Sequence, residues 1–120
     1  FTYTFYPFDG AFTDSDVPQR AAEQNEPVFI SGIADELGPI FLADTKNIIV
    51  DTIKPADTAE NALMARVYES MGKQTDCAFA VNPRITKIAE TDMLEEHPKA
   101  VDPGCVHFGS FEIKTFLLYF

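Results

Sequence analysis

The sequence predicts an all-β domain, an antiparallel β-sandwich with either a short helix or an extended connector near residues 15–25. Three observations carry that expectation: two-residue alternation of apolar and polar positions, short runs rich in β-branched and aromatic residues, and Gly, Pro, Asn and Asp spaced regularly between them. The first run, Phe-Thr-Tyr-Thr-Phe-Tyr at 1–6, alternates in this way and reads as a strand with Phe1, Tyr3 and Phe5 in a row on one face. The polar stretch 9–19 reads as a linker. Within residues 14–25, Ser15 or Asp16 can cap a turn of helix, Pro18 suits an early helical position, and Arg20-Ala21-Ala22-Glu23-Gln24 are good helix formers. An extended connector fits the same residues equally well.

Strands are then expected at 39–43, 47–54, 62–69, 76–81, 85–92, 106–108 and 111–115. The segment 47–54 is rich in β-branched residues and stops at Pro55, which has no N–H to donate to a ladder. The segment 62–69 has helical propensity. Its length, its place after a Pro-Ala-Asp turn and the following Met71-Gly72-Lys73 turn favour a hairpin partner instead. In Phe111-Glu112-Ile113-Lys114-Thr115 the alternation puts Phe111, Ile113 and Thr115 on one face and predicts Phe111 and Ile113 in the core, with Glu112 and Lys114 in solvent. The resulting division is a first strand at 1–8 that an upstream domain can share, a connector at 9–27 and a sandwich at 28–120. An alternating aromatic start with no initiator Met suggests a piece of a longer protein.

A chain of 120 residues, 46% hydrophobic, supports one core. A net charge of −10, with nine basic residues scattered among nineteen acidic ones, disfavours nucleic acid as a partner. No stretch reaches the roughly 18 apolar residues of a membrane span. Two cysteines, Cys77 and Cys105, are too few for a disulfide scaffold, so a reducing, cytoplasmic setting is the simpler expectation.

No self-sufficient active site is legible. A glycosidase needs two carboxyl groups about 5–10 Å apart across one sugar bond, with pKa values driven in opposite directions. Glu95-Glu96 is the densest acidic cluster and reads as a solvated turn. Cys105 and His107 share a strand face, and Cys77 with His97 completes a possible four-ligand set, but the spacing matches no structural zinc pattern. Two core cysteines and two histidines near turns are the plainer reading, and nothing near the Cys–His pair in sequence supplies an orienting partner. Neither a Gly-rich phosphate loop nor a Ser nucleophile elbow is present. Tyr3, Tyr6, Phe8 and Phe12 could stack on sugar rings if exposed, or could cover a seam with a neighbouring domain. The expectation is therefore no catalytic residue and no metal ligand in this chain.

Six stretches, taken in order, carry a family likeness: Phe-Thr-Tyr-Thr-Phe-Tyr-Pro at 1–7, Ala-Glu-Gln-Asn-Glu-Pro at 22–27, Asn-Ile-Ile-Val-Asp-Thr-Ile-Lys-Pro-Ala at 47–56, Arg-Val-Tyr-Glu-Ser at 66–70, Glu-Thr-Asp-Met-Leu-Glu-Glu at 90–96, and Phe-Glu-Ile-Lys-Thr at 111–115. Together they resemble the end of the family 38 glycoside hydrolases, the α-mannosidases, with the last stretch the most characteristic. Departures are confined to 8–16, where Phe8-Asp9-Gly10, Ala11-Phe12-Thr13 and the acidic run replace a more polar or His-containing turn. The resemblance implies a large retaining α-mannosidase whose zinc and carboxylate nucleophile lie in an upstream α/β domain, followed by a helical bundle and C-terminal β-domains. It brings no catalytic residue onto this chain. The implied role is an accessory β-domain for structural support and for domain or oligomer packing, with mannose-containing glycans met through the parent enzyme. A carbohydrate-binding module and a free-standing interaction domain unrelated to sugars are the competing readings.

Overall fold

A computed structural model of the chain describes residues 1–26 and 38–120, which fall in two compact units divided between Asp35 and Glu36. The expected junction between connector and sandwich, at 27/28, lies outside the described residues. In the first unit, residues 1–8 have no regular secondary structure, so the aromatic alternation there does not produce a strand. A 3₁₀ turn, Phe12–Asp14, leads into helix α1, Val17–Asn25, the helical alternative for this stretch. Pro18 sits in its first turn, as its fixed φ favours. Asp16 occupies the N-cap position without capping; its carboxylate instead accepts from Tyr6 Oη at 3.0 Å and Arg20 Nε at 3.1 Å.

The second unit is antiparallel β-structure. Its strands are β1 Phe41–Ala43, β2 Ile48–Pro55, β3 Ala62–Glu69, β4 Thr75–Cys77, β5 Phe79–Val81, β6 Lys87–Thr91, β7 Lys99–Ala100, β8 Val106–Phe108 and β9 Ile113–Tyr119. One layer is a five-stranded sheet in the order β2-β3-β9-β6-β7; the ladders β1-β5 and β4-β8 supply the facing side chains of the other. The strands expected at 47–54, 62–69 and 106–108 are β2, β3 and β8. Pro55 closes β2, which lies at the sheet edge where a missing N–H costs no ladder bond.

The expected strand at 76–81 divides at Ala78. Before it, β4 pairs with β8; after it, β5 pairs with β1. Ala78 exchanges hydrogen bonds with Asp44, and Phe79 N donates to Pro103 O at 2.8 Å. The chain thus passes from one ladder to the other, a change of neighbour that composition does not signal.

The core lies between the two layers. Phe41 and Phe79 stack with ring centroids 4.2 Å apart, and both lie 5.8 Å from the ring of Phe116. Ala65, Val67, Ile88, Val106, Phe108 and Leu118 complete its centre. These inward side chains come from both layers, the arrangement that gives a sandwich its thickness.

The register of β9 corrects the expectation for 111–115. Phe111 sits in the preceding turn at φ +57° and is 69% exposed, and Ile113 is 53% exposed. Lys114 is the inward residue: it stands opposite Val67, and its Nζ lies 5.7 Å from the centre of the Phe108 ring. Ile113 and Thr115 do share a face, as alternation requires, but it is the outer face of the sheet. Strand phase is all-or-none, so the side-chain set predicted for the core is placed outward. Burial opposes the Lys114 charge, yet Glu90 at 2.7 Å and Glu112 at 3.3 Å outweigh it and raise its pKa.

Opposite the aromatic centre, one buried carboxylate ties the end of the sandwich together. Glu69 is 1% exposed. Its Oε1 accepts from Met71 N at 2.8 Å and Asn47 Nδ2 at 2.9 Å, and its Oε2 from Gly72 N at 2.7 Å and Phe111 N at 2.9 Å. Burial pushes the pKa up, but the donors, Phe111 N and Asn47 foremost, prevail and hold it at about 2. Gly72, at φ +72°, makes this clasp possible: a Cβ there would lie 2.7 Å from the Phe111 ring.

Candidate functional site

The best-defined cluster of chemically active side chains follows β6. Asp92 Oδ1 accepts from Leu94 N at 3.0 Å and Glu96 N at 2.9 Å, while His97 Nδ1 lies 3.1 Å from Asp92 Oδ2. Glu95 and His97 adopt φ values of +64° and +56°, so the loop coils tightly enough to turn the Glu95 side chain back into the protein. Glu95 is 5% exposed; its carboxylate accepts from Lys54 Nζ at 2.8 Å and Asp57 N at 2.6 Å, and Thr58 Oγ1 donates to its carbonyl at 2.8 Å. Arg66 Nη2 donates to Met93 O at 3.1 Å. These bonds carry the loop from β6 across the outer face of β9 and β3 to the end of β2.

Glu95-Glu96 is therefore split in function. Only Glu96 is the solvated side chain expected of an acidic turn; Glu95 is a buried anchor. Burial raises the Glu95 pKa, but the Lys54 ammonium and the Asp57 N–H together hold the carboxyl below its ordinary range. A partner 41 residues away, Lys54, left no trace in the local pattern. The same loop explains why Met64, Thr115 and Leu117 are buried although they face away from the core.

Asp92, Glu96 and His97 bring their donor atoms within 4.8 Å of one another, the only group of three such metal-ligating side chains found among the described residues. All three are exposed, and Asp92 and His97 line an open groove together with Glu90, Thr91 and Lys99. Both Asp92 oxygens are already occupied in shaping the loop. That use accounts for the cluster without a cation, and Lys99 places a positive charge in the same groove.

The four expected Cys and His residues lie in different settings. Cys77 is buried, and burial pushes its thiol pKa up; Cys105 is exposed, and both thiols are free. His107 stands opposite Asp76 in the β4-β8 ladder, with Nδ1 2.8 Å from Asp76 Oδ1. The carboxylate partner that sequence reasoning did not find for His107 is thus supplied across the strand pair. Strand pairing, not chain proximity, creates it, and the pair is open to water.

Among the described residues no pair of carboxyl groups has the opposed pKa displacements of a glycosidase acid–base pair. The carboxyl groups with displaced pKa values among the described residues, Asp16, Glu69, Asp92, Glu95 and Glu112, are all displaced downward. A residue that protonates a glycosidic oxygen needs the opposite displacement. Of the aromatics considered for sugar stacking, Tyr3, Tyr6, Phe8 and Phe12 are all exposed; Tyr6 Oη is engaged by Asp16, and Phe8 meets Phe12 edge to face at 6.4 Å.

Comparison with known families gives a match. The family model described as the glycosyl hydrolases family 38 C-terminal beta sandwich domain matches residues 47–116, from the start of β2 through most of β9. No curated protein matches the chain.

Proposed function

The chain belongs to the family of C-terminal β-sandwich domains of the family 38 glycosyl hydrolases, and from that membership we propose that it supports a larger α-mannosidase by packing against the rest of that enzyme. The zinc and the carboxylate nucleophile of the retaining reaction would then lie elsewhere in the polypeptide. This domain's contribution is shape, stability and an interface to neighbouring domains or to a second copy.

The observation that carries the reading is the apolar character of the sheet's outer face. Ile113 lies there opposite Tyr68, and Met93 and Leu94, on the loop crossing that face, are 59% and 74% exposed. Such side chains grouped on one face mark an interaction surface more often than solvent-facing sheet. The anchors beneath them, the buried Glu95 and the half-buried Arg66, hold the loop in a fixed conformation suited to rigid docking.

The test compares the full-length protein with a form lacking these 120 residues. Loss of several degrees of thermal stability or of oligomeric assembly, with KM for an aryl α-mannoside within about threefold, is the expected result. A KM more than about tenfold higher with stability and assembly unchanged would instead identify a carbohydrate-binding module, since that change is more than 1.4 kcal/mol of substrate binding.

A further inference from the structure

We propose that Arg66 and Thr115 hold between them a single bound hydrogen-bonding atom, a water oxygen or a halide ion, beneath the loop that crosses the outer face of the sheet. The two residues are direct cross-strand partners of β3 and β9, so their side chains emerge side by side on that face. Thr115 is 1% exposed, and its Oγ1 has no protein partner. Arg66 Nε is likewise buried and without a protein partner. Neighbouring positions and complementary chemistry would allow them to bond to each other. They do not.

A buried hydroxyl or N–H left without a partner is costly, and buried polar groups in proteins are nearly always satisfied. Two such atoms on paired residues point to one shared ligand. Its chemistry follows from the donors. A guanidinium N–H can only donate, so the ligand must accept; the Thr115 hydroxyl can donate or accept, so it suits either a water or a halide. Arg66 makes no ion pair among the described residues, and its Nη2 is fixed on Met93 O at 3.1 Å, which aims the guanidinium at the loop. On the other side of Thr115, Thr91 is its β6 partner, and Thr91 Oγ1 is turned away onto Asp92 O at 2.8 Å. The bound atom would therefore complete the attachment of the loop to β9, the strand it crosses between its anchors on β6 and β3.

A high-resolution crystal structure of the chain, with a bromide-soaked crystal beside it, tests this directly. A density peak within about 2.7–3.2 Å of both Arg66 Nε and Thr115 Oγ1 is expected, a normal hydrogen-bond distance for a water, with a bromide slightly longer. Thr115→Val should remove the peak and lower the Tm by about 4–8 °C, the change that a loss of one such interaction brings in a domain of this size. Thr115→Ser, which keeps the hydroxyl, should retain the peak, and it serves as the test should the Val variant fail to fold. A bromide anomalous signal, with Tm falling when chloride is replaced by gluconate at constant ionic strength, assigns the ligand as a halide; a peak without either assigns it as water. A direct Arg66–Thr115 hydrogen bond, no peak at all, or a Thr115→Val protein at least as stable as the parent would overturn the proposal.

Discussion

Phe116→Ala is expected to cost on the order of 3–5 kcal/mol, the usual loss for emptying a large aromatic site in a close-packed core. Phe116 has no exposed surface, and its ring contacts both members of the Phe41–Phe79 stack. Its backbone lies in the central strand, between Ala65 of β3 and Glu90 of β6. A cavity there cannot collapse easily, because the residues around it belong to both layers of the sandwich. Urea unfolding at neutral pH measures the loss. At roughly 4–8 °C per kcal/mol for a domain of about this size, the Tm should fall by more than about 12 °C. A loss below about 1 kcal/mol would show that the four-phenylalanine cluster is not the centre of the core.

The second large effect belongs to Glu69. Removing its carboxylate strands the N–H groups of Met71, Gly72 and Phe111 at once and leaves the Asn47 amide with Thr75 Oγ1, at 2.6 Å, as its remaining side-chain partner. Glu69→Ala should therefore cost about 3–5 kcal/mol, as expected for breaking a buried charged hydrogen-bond cluster. Glu69 also gives this loss a pH signature. Its folded pKa, about 2, lies below its ordinary 4.5, so its contribution is fully present above the unfolded value and is lost as the pH falls toward the folded one. The whole contribution is about 3 kcal/mol, and about 2 kcal/mol of it is gone by pH 3. Unfolding free energies of parent and variant at pH 7 and pH 3 should therefore converge by about 2 kcal/mol at the lower pH. A constant gap between them would mean that Glu69 is not an ionised clasp.

Phe116 and Glu69 also mark where sequence reasoning reached and where it stopped. The strand Ala62–Glu69 was legible despite its helical propensity, because its length and flanking turns constrain it more than propensity does. The strand near the end of the chain was legible as a strand but not in register. Thr115, Phe116, Leu117 and Leu118 are all buried, because β9 is central and its two faces are covered by the core and by the 92–97 loop. A run buried on both faces loses the alternation that reveals phase, so the alternating Phe-Glu-Ile-Lys-Thr stretch ahead of it drew the core assignment instead. Residues 1–8 show the converse: alternation is clear, yet no partner strand is present among the described residues to make it a ladder.

The polar features followed a different rule. Glu95 and Lys114 were expected in solvent because charged side chains usually are, and nothing in the local pattern around Glu69 marks it as buried. Each is held inward by partners far away in the chain: Asn47 and Phe111 for Glu69, Lys54 for Glu95, Glu90 for the half-buried Lys114. Asp76 opposite His107 is the same kind of pairing at the surface. Such contacts exist only once the strand order is known. The family likeness, by contrast, was legible, because it rests on the order of several short stretches, four of which lie in or across the 47–116 match.

Whether this sandwich serves a glycosidase without housing its chemistry is decided by incubating the purified 120-residue chain with an aryl α-mannoside, with zinc added and with zinc withheld. No release of the aryl group above a buffer blank is expected under either condition. Turnover that co-purifies with the folded chain and disappears in Asp92→Asn or Glu96→Gln variants of unchanged stability would contradict it, and would place a catalytic site on the loop beyond β6.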